Sequence, residues 1–121
     1  MKQRFIIAPL SNGNISLITD LAKHAGLPWD CILGAELVRH YKPDREVYQS
    51  AADILDLKPA NVMMVAAHSG DLRAAKAVGL KTAFVARPLE YGPTGTPDLR
   101  ADSSVDISAT DFNDLAGRLG V

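Results

Sequence analysis

Residues 62–66, VMMVA, are the most continuous apolar run of the chain, and HSGD follows at residues 68–71. An apolar run of this length, bounded by turn-forming residues, is typical of a buried strand. Residues from about 71 to 78 have helical character, and Gly79 is placed to end that helix. A second apolar run lies at residues 81–85. The order strand, helix, strand predicts parallel strands joined by a helical crossover, with residues 62–66 in the interior of the sheet.

The same alternation extends toward both ends of the chain. Residues 5–8 are predicted to form a strand, and apolar residues at helical spacing predict a helix over residues 15–25. Residues 31–33 and 105–107 are predicted to be further short strands. We therefore expect an α/β fold of about five short strands and four helices, built as a three-layer, Rossmann-like parallel sheet.

Two polar residues are predicted to begin helices, and one segment is predicted to be a loop. Asp44 is placed to cap a helix with an apolar face over residues 47–55, and Thr110 is placed to cap the last helix. Residues 86–104 contain several prolines and glycines, which predicts a long surface loop.

Composition and charge restrict the class of protein. The 121 residues fit one domain over residues 1–121, and 47% hydrophobic with 22% charged residues is typical of a soluble globular protein. A net charge of −1 gives no basic surplus for nucleic acid or an anionic membrane surface. No apolar stretch is long enough to span a bilayer. The single cysteine, Cys31, cannot form an internal disulfide and favours the reducing cytoplasm.

The predicted topology also indicates where a ligand should bind. In parallel α/β folds the ligand site lies beyond the carboxyl ends of the strands. That rule selects three loops: residues 11–13 (SNG), the stretch around Lys42, and residues 68–71. The sequence has no GxGxxG motif, no P-loop and no paired-cysteine metal spacing, so it indicates no cofactor.

The three loops resemble motifs of the haloacid dehalogenase superfamily. Residues 9–13, PLSNG, resemble the second motif, a Ser or Thr at a strand end. Residues 41–44, YKPD, resemble the third, a Lys-Pro before a helix, and residues 62–79 resemble the fourth motif with its helix. SNGN at residues 11–14 and VAAH at residues 65–68 are most similar to the type II 2-haloacid dehalogenases.

The resemblance covers nearly the whole chain but leaves out the first motif. In the superfamily that motif is an Asp at the end of the first strand, and this Asp is the nucleophile. Here the chain opens at the strand before the second motif, and its first aspartate, Asp20, falls inside the helix predicted over residues 15–25. The superfamily's helical cap domain has no counterpart either. The resemblance implies a sheet that is incomplete at its central strand and a chain that is inactive alone.

The resemblance also implies roles for individual residues. Ser11 and Asn12 would bind substrate, through groups that can hold a carboxylate or a developing oxyanion. Lys42 would keep the nucleophile ionised and balance negative charge in the transition state. Asp71 would pair with Lys42 or position a water molecule. Each role has a plainer alternative: a turn and helix cap for Ser11 and Asn12, a surface position for Lys42, and a helix N-cap for Asp71.

One position distinguishes two types of reaction. Superfamily phosphatases carry two acidic residues, four apart in the fourth motif, that help to bind magnesium. Asp71 matches the second of these, whereas Ala67 stands at the first. Magnesium usually needs more than one carboxylate, so Ala67 favours the metal-free dehalogenase reaction, and no metal is expected. His68, beside it, is expected to be structural.

The main hypothesis is therefore a parent enzyme that hydrolyses a 2-haloacid through an aspartyl ester. This chain would supply Ser11, Lys42 and Asp71 at one edge of the sheet, with Lys42 near Asp71. A magnesium phosphatase of the same superfamily, or a non-catalytic α/β fragment or interaction module, remain as alternatives. The expected partners are a small-molecule substrate and either a second copy or the missing N-terminal segment, because apolar strand edges would face a gap.

Overall fold

The computed structural model describes residues 4–87 and 104–120 of the chain. The chain divides into two compact units, Met1–Leu57 and Lys58–Val121. The described ranges contain five strands in two separate sheets, both parallel, together with five α-helices. The predicted α/β class with parallel strands is confirmed. The prediction of a single domain over residues 1–121 stays a prediction.

The first unit contains a two-stranded sheet and three helices. Strand β1 (Leu10–Ser11) pairs in parallel with strand β2 (Leu33–Gly34). Helix α1 (Ile15–Ala25) lies between these strands in the sequence. A short helix, α2 (Ala35–Val38), follows β2 directly, and α3 (Arg45–Ile54) completes the unit. The carboxyl ends of β1 and β2 therefore lead into the loop of residues 11–13 and into α2.

Helix α1 forms where the helical spacing predicts it. The side chain of Asn14 accepts the N–H of Leu17 at 2.8 Å, which satisfies a backbone donor at the helix start. Gly26 ends the helix with φ 67°, the left-handed conformation that a residue without Cβ adopts readily.

The strand predicted over residues 5–8 is wrong in position, because β1 begins only after Pro9. The backbone N–H of Asp30 donates to the carbonyl of Ile7 at 2.8 Å, and that of Leu33 donates to the carbonyl of Pro9 at 3.1 Å. Residues 7–9 thus already run beside residues 30–33 before β1 begins. Since Pro9 has no N–H to donate, the regular ladder starts one residue later.

Two further predictions for this unit need correction. The strand predicted over residues 31–33 begins later, as β2, and α2 was not predicted. Asp44 does occupy the N-cap position of α3, but its side chain makes no capping hydrogen bond. The apolar face predicted for α3 is only partly present: Val47 and Ala51 are buried, whereas Ile54 is exposed.

The second unit contains a three-stranded parallel sheet with order β3-β4-β5. Its elements, in chain order, are a 3-10 turn (Pro59–Asn61), β3 (Met63–Ala66), α4 (Ser69–Ala77), β4 (Lys81–Val85), β5 (Ile107–Ala109) and α5 (Phe112–Arg118). In the register of the sheet, Met63 lies opposite Lys81 and Ala83 opposite Ile107.

The central strand of this sheet is β4, which is buried on both faces. Ala83 and Val85 pack with Leu115 of α5 in an apolar cluster, while Thr82 and Phe84 alternate to the opposite face and are also buried. By contrast, β3 is half-buried along its whole length and pairs, within the described residues, only with β4. Among the described strands β3 is therefore an edge strand, and the prediction that residues 62–66 form an interior strand is wrong.

Three boundaries in the second unit differ from the predictions. Helix α4 starts at Ser69, two residues before the predicted start, and β5 covers Ile107–Ala109 rather than residues 105–107. The N-cap of α5 is Asp111, which accepts the N–H of Asp114 at 2.7 Å, and not Thr110.

A long loop was predicted over residues 86–104. Of these, residues 88–103 lie outside the residues that the structure describes. Within the described ranges, none of the helices combines the length and the apolar character needed to cross a bilayer.

Candidate active site

The loop after β1 is a turn closed by a serine side chain. Ser11 is half-buried at the end of β1, and its Oγ accepts the backbone N–H of Gly13 at 2.9 Å. This hydrogen bond closes the turn that the sequence offered as the alternative to a substrate-binding role for Ser11. A hydroxyl that accepts one hydrogen bond still carries a proton that it can donate, so the turn leaves Ser11 chemically able to bind an anion.

Gly34 allows β2 to approach this loop closely. A Cβ atom built on Gly34 would lie only 2.1 Å from the backbone oxygen of Ser11. Ser11 and Gly34 are partners in the parallel register of β1 and β2. The end of β1 therefore keeps its position only with glycine at residue 34.

Asn12 connects the loop after β1 to the backbone of Lys42. Its Oδ1 accepts the N–H of Lys42 at 2.7 Å, and its Nδ2 donates to the carbonyl of Lys42 at 3.5 Å. The first bond is short and the second is at the limit for a hydrogen bond. Both amide atoms thus face one peptide segment, so the loops selected in the sequence as the second and third motifs are in direct contact.

Lys42 lies on a turn between α2 and α3. The residue is half-buried, and its peptide bond to Pro43 is cis. The backbone N–H of Asp44 donates to the carbonyl of Tyr41 at 2.8 Å, which closes the turn on the other side of Lys42. The backbone of Lys42 is therefore held by Asn12 on one side and by the start of α3 on the other.

Asp71 lies in the second unit, in the first turn of α4. The N-cap position of this helix is His68, so the alternative that Asp71 is the N-cap is wrong. A carboxylate in the first turn of a helix is stabilised by the backbone N–H groups and the helix dipole. Ala67, directly after β3, is buried.

The described residues thus bring together three of the four predicted site residues. Ser11, Asn12 and Lys42 belong to one unit, and the hydrogen bonds of Asn12 link them. Asp71 belongs to the other unit. The prediction that Lys42 lies near Asp71 stays a prediction.

The single cysteine is not an activated nucleophile. Burial and, secondarily, the negative charge of Asp30 raise the pKa of the Cys31 thiol. A raised pKa keeps the thiol protonated near neutral pH, and the protonated form is a poor nucleophile. The described chain therefore offers no activated thiol at this position.

Two contributors to the site were missed in the sequence. Gly34 is one, because its role depends on how closely β1 and β2 pair. Glu36 is the other, since its Oε2 accepts the N–H of Ile15 at 3.2 Å and so holds the start of α1. The sequence carries no local signal for either, because each contact joins residues more than twenty positions apart.

Comparison with known proteins points to one family. A family model described as haloacid dehalogenase-like hydrolase matches residues 1–79. The chain is 35% identical over 92 residues to (S)-2-haloacid dehalogenase 1 of Pseudomonas sp. (strain CBS-3), covering 72% of this chain and 40% of that protein. It is 33% identical over 82 residues to Pyrophosphatase PpaX of Bacillus anthracis, covering 65% of this chain and 38% of that protein.

Solved structures point to the same family. The crystal structure of an L-2-haloacid dehalogenase is 55% identical, with a TM-score of 0.94 over 98% of this chain and 52% of that one. A defluorinating L-2-haloacid dehalogenase is also 55% identical, with a TM-score of 0.95 over 99% of this chain and 49% of that one. A phosphatase from Thermococcus onnurineus, 20% identical with a TM-score of 0.75 over 96% of this chain and 51% of that one, shares the fold. The chain spans about half the length of these solved relatives.

Proposed function

Because the chain belongs to the haloacid dehalogenase-like hydrolase family, we propose that it is part of the catalytic core of an enzyme that hydrolyses 2-haloacids. A carboxylate from an aspartate outside these 121 residues attacks the carbon that bears the halogen, forms an ester and expels halide. Water then hydrolyses the ester, which restores the carboxylate and releases the hydroxy acid. The substrate in this proposal is a small anionic molecule.

The contact between Asn12 and Lys42 is the observation that carries the proposal. It fixes the backbone of Lys42 beside the turn that contains Ser11, beyond the carboxyl end of β1. With its amide atoms directed at Lys42, Asn12 serves the substrate through its backbone N–H and by positioning the lysine. Ser11 supplies a hydroxyl donor on the same loop.

A fixed cation has a clear use in this reaction. The nucleophile and the substrate both carry carboxylates, so their approach costs electrostatic energy unless a positive charge lies close by. An ammonium group also favours the ionised form of a nearby aspartate and stabilises negative charge in the transition state. We assign this role to Lys42, with Asp71 either paired to it or orienting the hydrolytic water.

The pyrophosphatase relative makes phosphoryl transfer the second candidate. Ala67 argues against it. A buried methyl group stands one position after β3, where a superfamily phosphatase would need a carboxylate for magnesium. Magnesium prefers a set of oxygen ligands that Asp71 alone would leave incomplete.

The proposal includes a structural partner. Strand β3 has four half-buried residues and, among the described strands, hydrogen-bonds only to β4. An apolar edge strand of this kind readily accepts another strand. We propose that either the segment with the nucleophile or a second copy of the chain pairs here, in the cytoplasm, where a lone cysteine stays reduced.

A fused protein tests the proposed reaction. The part of the 55% identical L-2-haloacid dehalogenase that this chain does not cover would be joined to the N-terminus of this chain. Halide release from 2-chloropropionate and phosphate release from pyrophosphate with magnesium would be measured side by side. We expect halide release without added metal and no phosphate release. Magnesium-dependent phosphate release without halide release would establish the second candidate instead.

A further inference from the structure

The geometry points to a transition-metal site on the surface of the first unit, formed by His40, Asp44 and Glu46. The Nδ1 atom of His40 lies 3.3 Å from Oδ2 of Asp44 and 3.8 Å from Oε2 of Glu46. One ligand atom from each of the three side chains lies within 4.8 Å of the other two. We propose that this cluster binds one divalent ion of the zinc type.

The spacing of these atoms suits a small tetrahedral ion. Two ligand atoms that each lie about 2.0–2.1 Å from tetrahedral zinc are about 3.3–3.4 Å apart. The contact between His40 and Asp44 already has this spacing, and that between His40 and Glu46 is a few tenths of an ångström longer. All three side chains are exposed, so a small adjustment meets little resistance.

The local backbone brings the three ligands together. Arg39, with φ 58°, ends α2 in the left-handed conformation and turns the chain toward His40. Asp44 sits at the N-cap of α3, where an Asp usually accepts a helix N–H, yet its carboxylate makes no capping bond and faces His40 instead. Glu46 follows in the first turn of α3. A single short segment thus presents three ligands on one side.

The donor set selects the class of ion. One imidazole nitrogen and two carboxylate oxygens suit zinc, cobalt or nickel, whereas magnesium and calcium prefer oxygen ligands only. The two carboxylates neutralise a divalent charge. Arg45 and Asp53 lie outside the ligand cluster and line the same surface groove as His40 and Glu46. Water completes the coordination at this exposed position.

In the sequence, two of the proposed ligands flank a residue of the candidate active site. Lys42 lies between His40 and Asp44 in the sequence, and its N–H is bonded to Asn12. An ion that ties His40 to Asp44 would restrict the motion of this segment. We therefore expect hydrogen exchange of the Lys42 amide to slow when the ion binds. This expectation concerns binding alone and does not depend on the proposed reaction.

Calorimetric titration of the untagged 121-residue chain with zinc chloride at neutral pH tests the site. We expect one saturable ion per chain and, with cobalt, the visible absorption of a tetrahedral complex. Three variants remove one ligand each: His40→Gln, Asp44→Asn and Glu46→Gln. Each should weaken binding by about tenfold or more, since even changes outside the ligand shell lower metal affinity by about 10- to 100-fold.

Two matched controls keep the cluster intact. His24→Gln removes another exposed histidine, and Asp53→Asn removes a carboxylate from the same groove. Both should bind zinc as the unchanged chain does. The proposal is overturned if the unchanged chain shows no saturable zinc binding, if the ligand variants bind with unchanged affinity, or if His24→Gln abolishes binding. Circular dichroism of every variant should match that of the unchanged chain, because each substituted residue is exposed.

Discussion

Asn12 shows how much of the candidate site can be predicted from residue identity alone. The sequence marks Ser11, Asn12 and Lys42 as candidate site residues, because their types and order match the motifs. The sequence does not reveal which atoms form hydrogen bonds, because Asn12 and Lys42 are 30 positions apart. Their contact depends on the pairing of β1 with β2, which Gly34 permits by lacking a Cβ atom.

The amide of Asn12 is expected to matter for rate rather than for folding. In the fused protein, Asn12→Ala should lower kcat for halide release by about 10²-fold, because a displacement of the lysine by about 1 Å costs that much. Asn12→Asp keeps an oxygen that accepts the Lys42 N–H and should recover part of the loss. Steady-state kinetics on 2-chloropropionate would measure both, and a change confined to KM would contradict the positioning role.

A matched control for Asn12 lies two residues away. The side chain of Asn14 caps α1, since its Oδ1 accepts the N–H of Leu17 and the hydroxyl of Ser16. Asn14→Ala should reduce stability by about 1 kcal/mol through loss of the cap and leave kcat unchanged.

Gly34 is expected to be the residue of the first unit least tolerant of a methyl group. A Cβ atom there meets backbone, the oxygen of Ser11, rather than a side chain that could move. Gly34→Ala should lower the free energy of unfolding by about 1–3 kcal/mol. Gly117→Ala, in α5 with no atom within 4 Å of the new Cβ, should be neutral or stabilising. Urea denaturation of both variants checks this, and equal effects would contradict the close-approach argument.

At the scale of elements, helices were predicted better than strands. The spacing of apolar residues predicts α1 within the sequence itself, and the structure adds Asn14 as its N-cap. Strand positions depend on partners: Pro9 delays β1, and Asp106 precedes β5 because its side chain binds Thr82. The edge position of β3 also depends on which strands are available to pair, and its apolar composition alone does not reveal this.

The link between Asp106 and β4 predicts a pH dependence of stability. The backbone N–H of Thr82 donates to Oδ2 of Asp106 at 2.8 Å, and this hydrogen bond is the main cause that lowers the pKa of Asp106. The folded state then binds the proton less tightly than the unfolded state. The stabilisation is present above the unfolded pKa and is lost as pH falls through the folded pKa, in the range below about pH 4.

Two variants separate the causes of this effect. Asp106→Asn should reduce stability at neutral pH and flatten its decline in acid. Thr82→Val keeps the backbone N–H and should retain most of the decline. Thermal unfolding between neutral and acid pH measures both, and an Asp106→Asn profile parallel to that of the unchanged chain would refute the assignment.

At the scale of the whole molecule, the family and the α/β class follow from the sequence, but the completeness of the sheet does not. The short strands β1 and β2 form one sheet, and β3, β4 and β5 form another. The residue that would attack the substrate has no candidate in the matched motifs. Both points depend on residues outside the three matched motifs, so the motifs alone cannot decide them.

The apolar edge of β3 predicts how the isolated chain behaves. Alone, the chain should self-associate through this edge, because β3 has half-buried apolar residues and, among the described strands, pairs only with β4. Size-exclusion chromatography with light scattering should show dimers or larger species. Addition of the segment that carries the nucleophile should convert them to a defined complex. A stable monomer of the isolated chain would contradict this part of the proposal.

The central claim is that this chain supplies the lysine of a 2-haloacid dehalogenase site, and halide release by the fused protein tests it most directly. We expect turnover of 2-chloropropionate by the fused protein and none by the isolated chain. In the fused protein, Lys42→Ala should lower kcat by about 10²–10³-fold, the usual cost of removing one charge-stabilising group, while Lys58→Ala on an exposed lysine should have no effect. Halide release by the isolated chain, or full activity of the Lys42→Ala fusion, would contradict it.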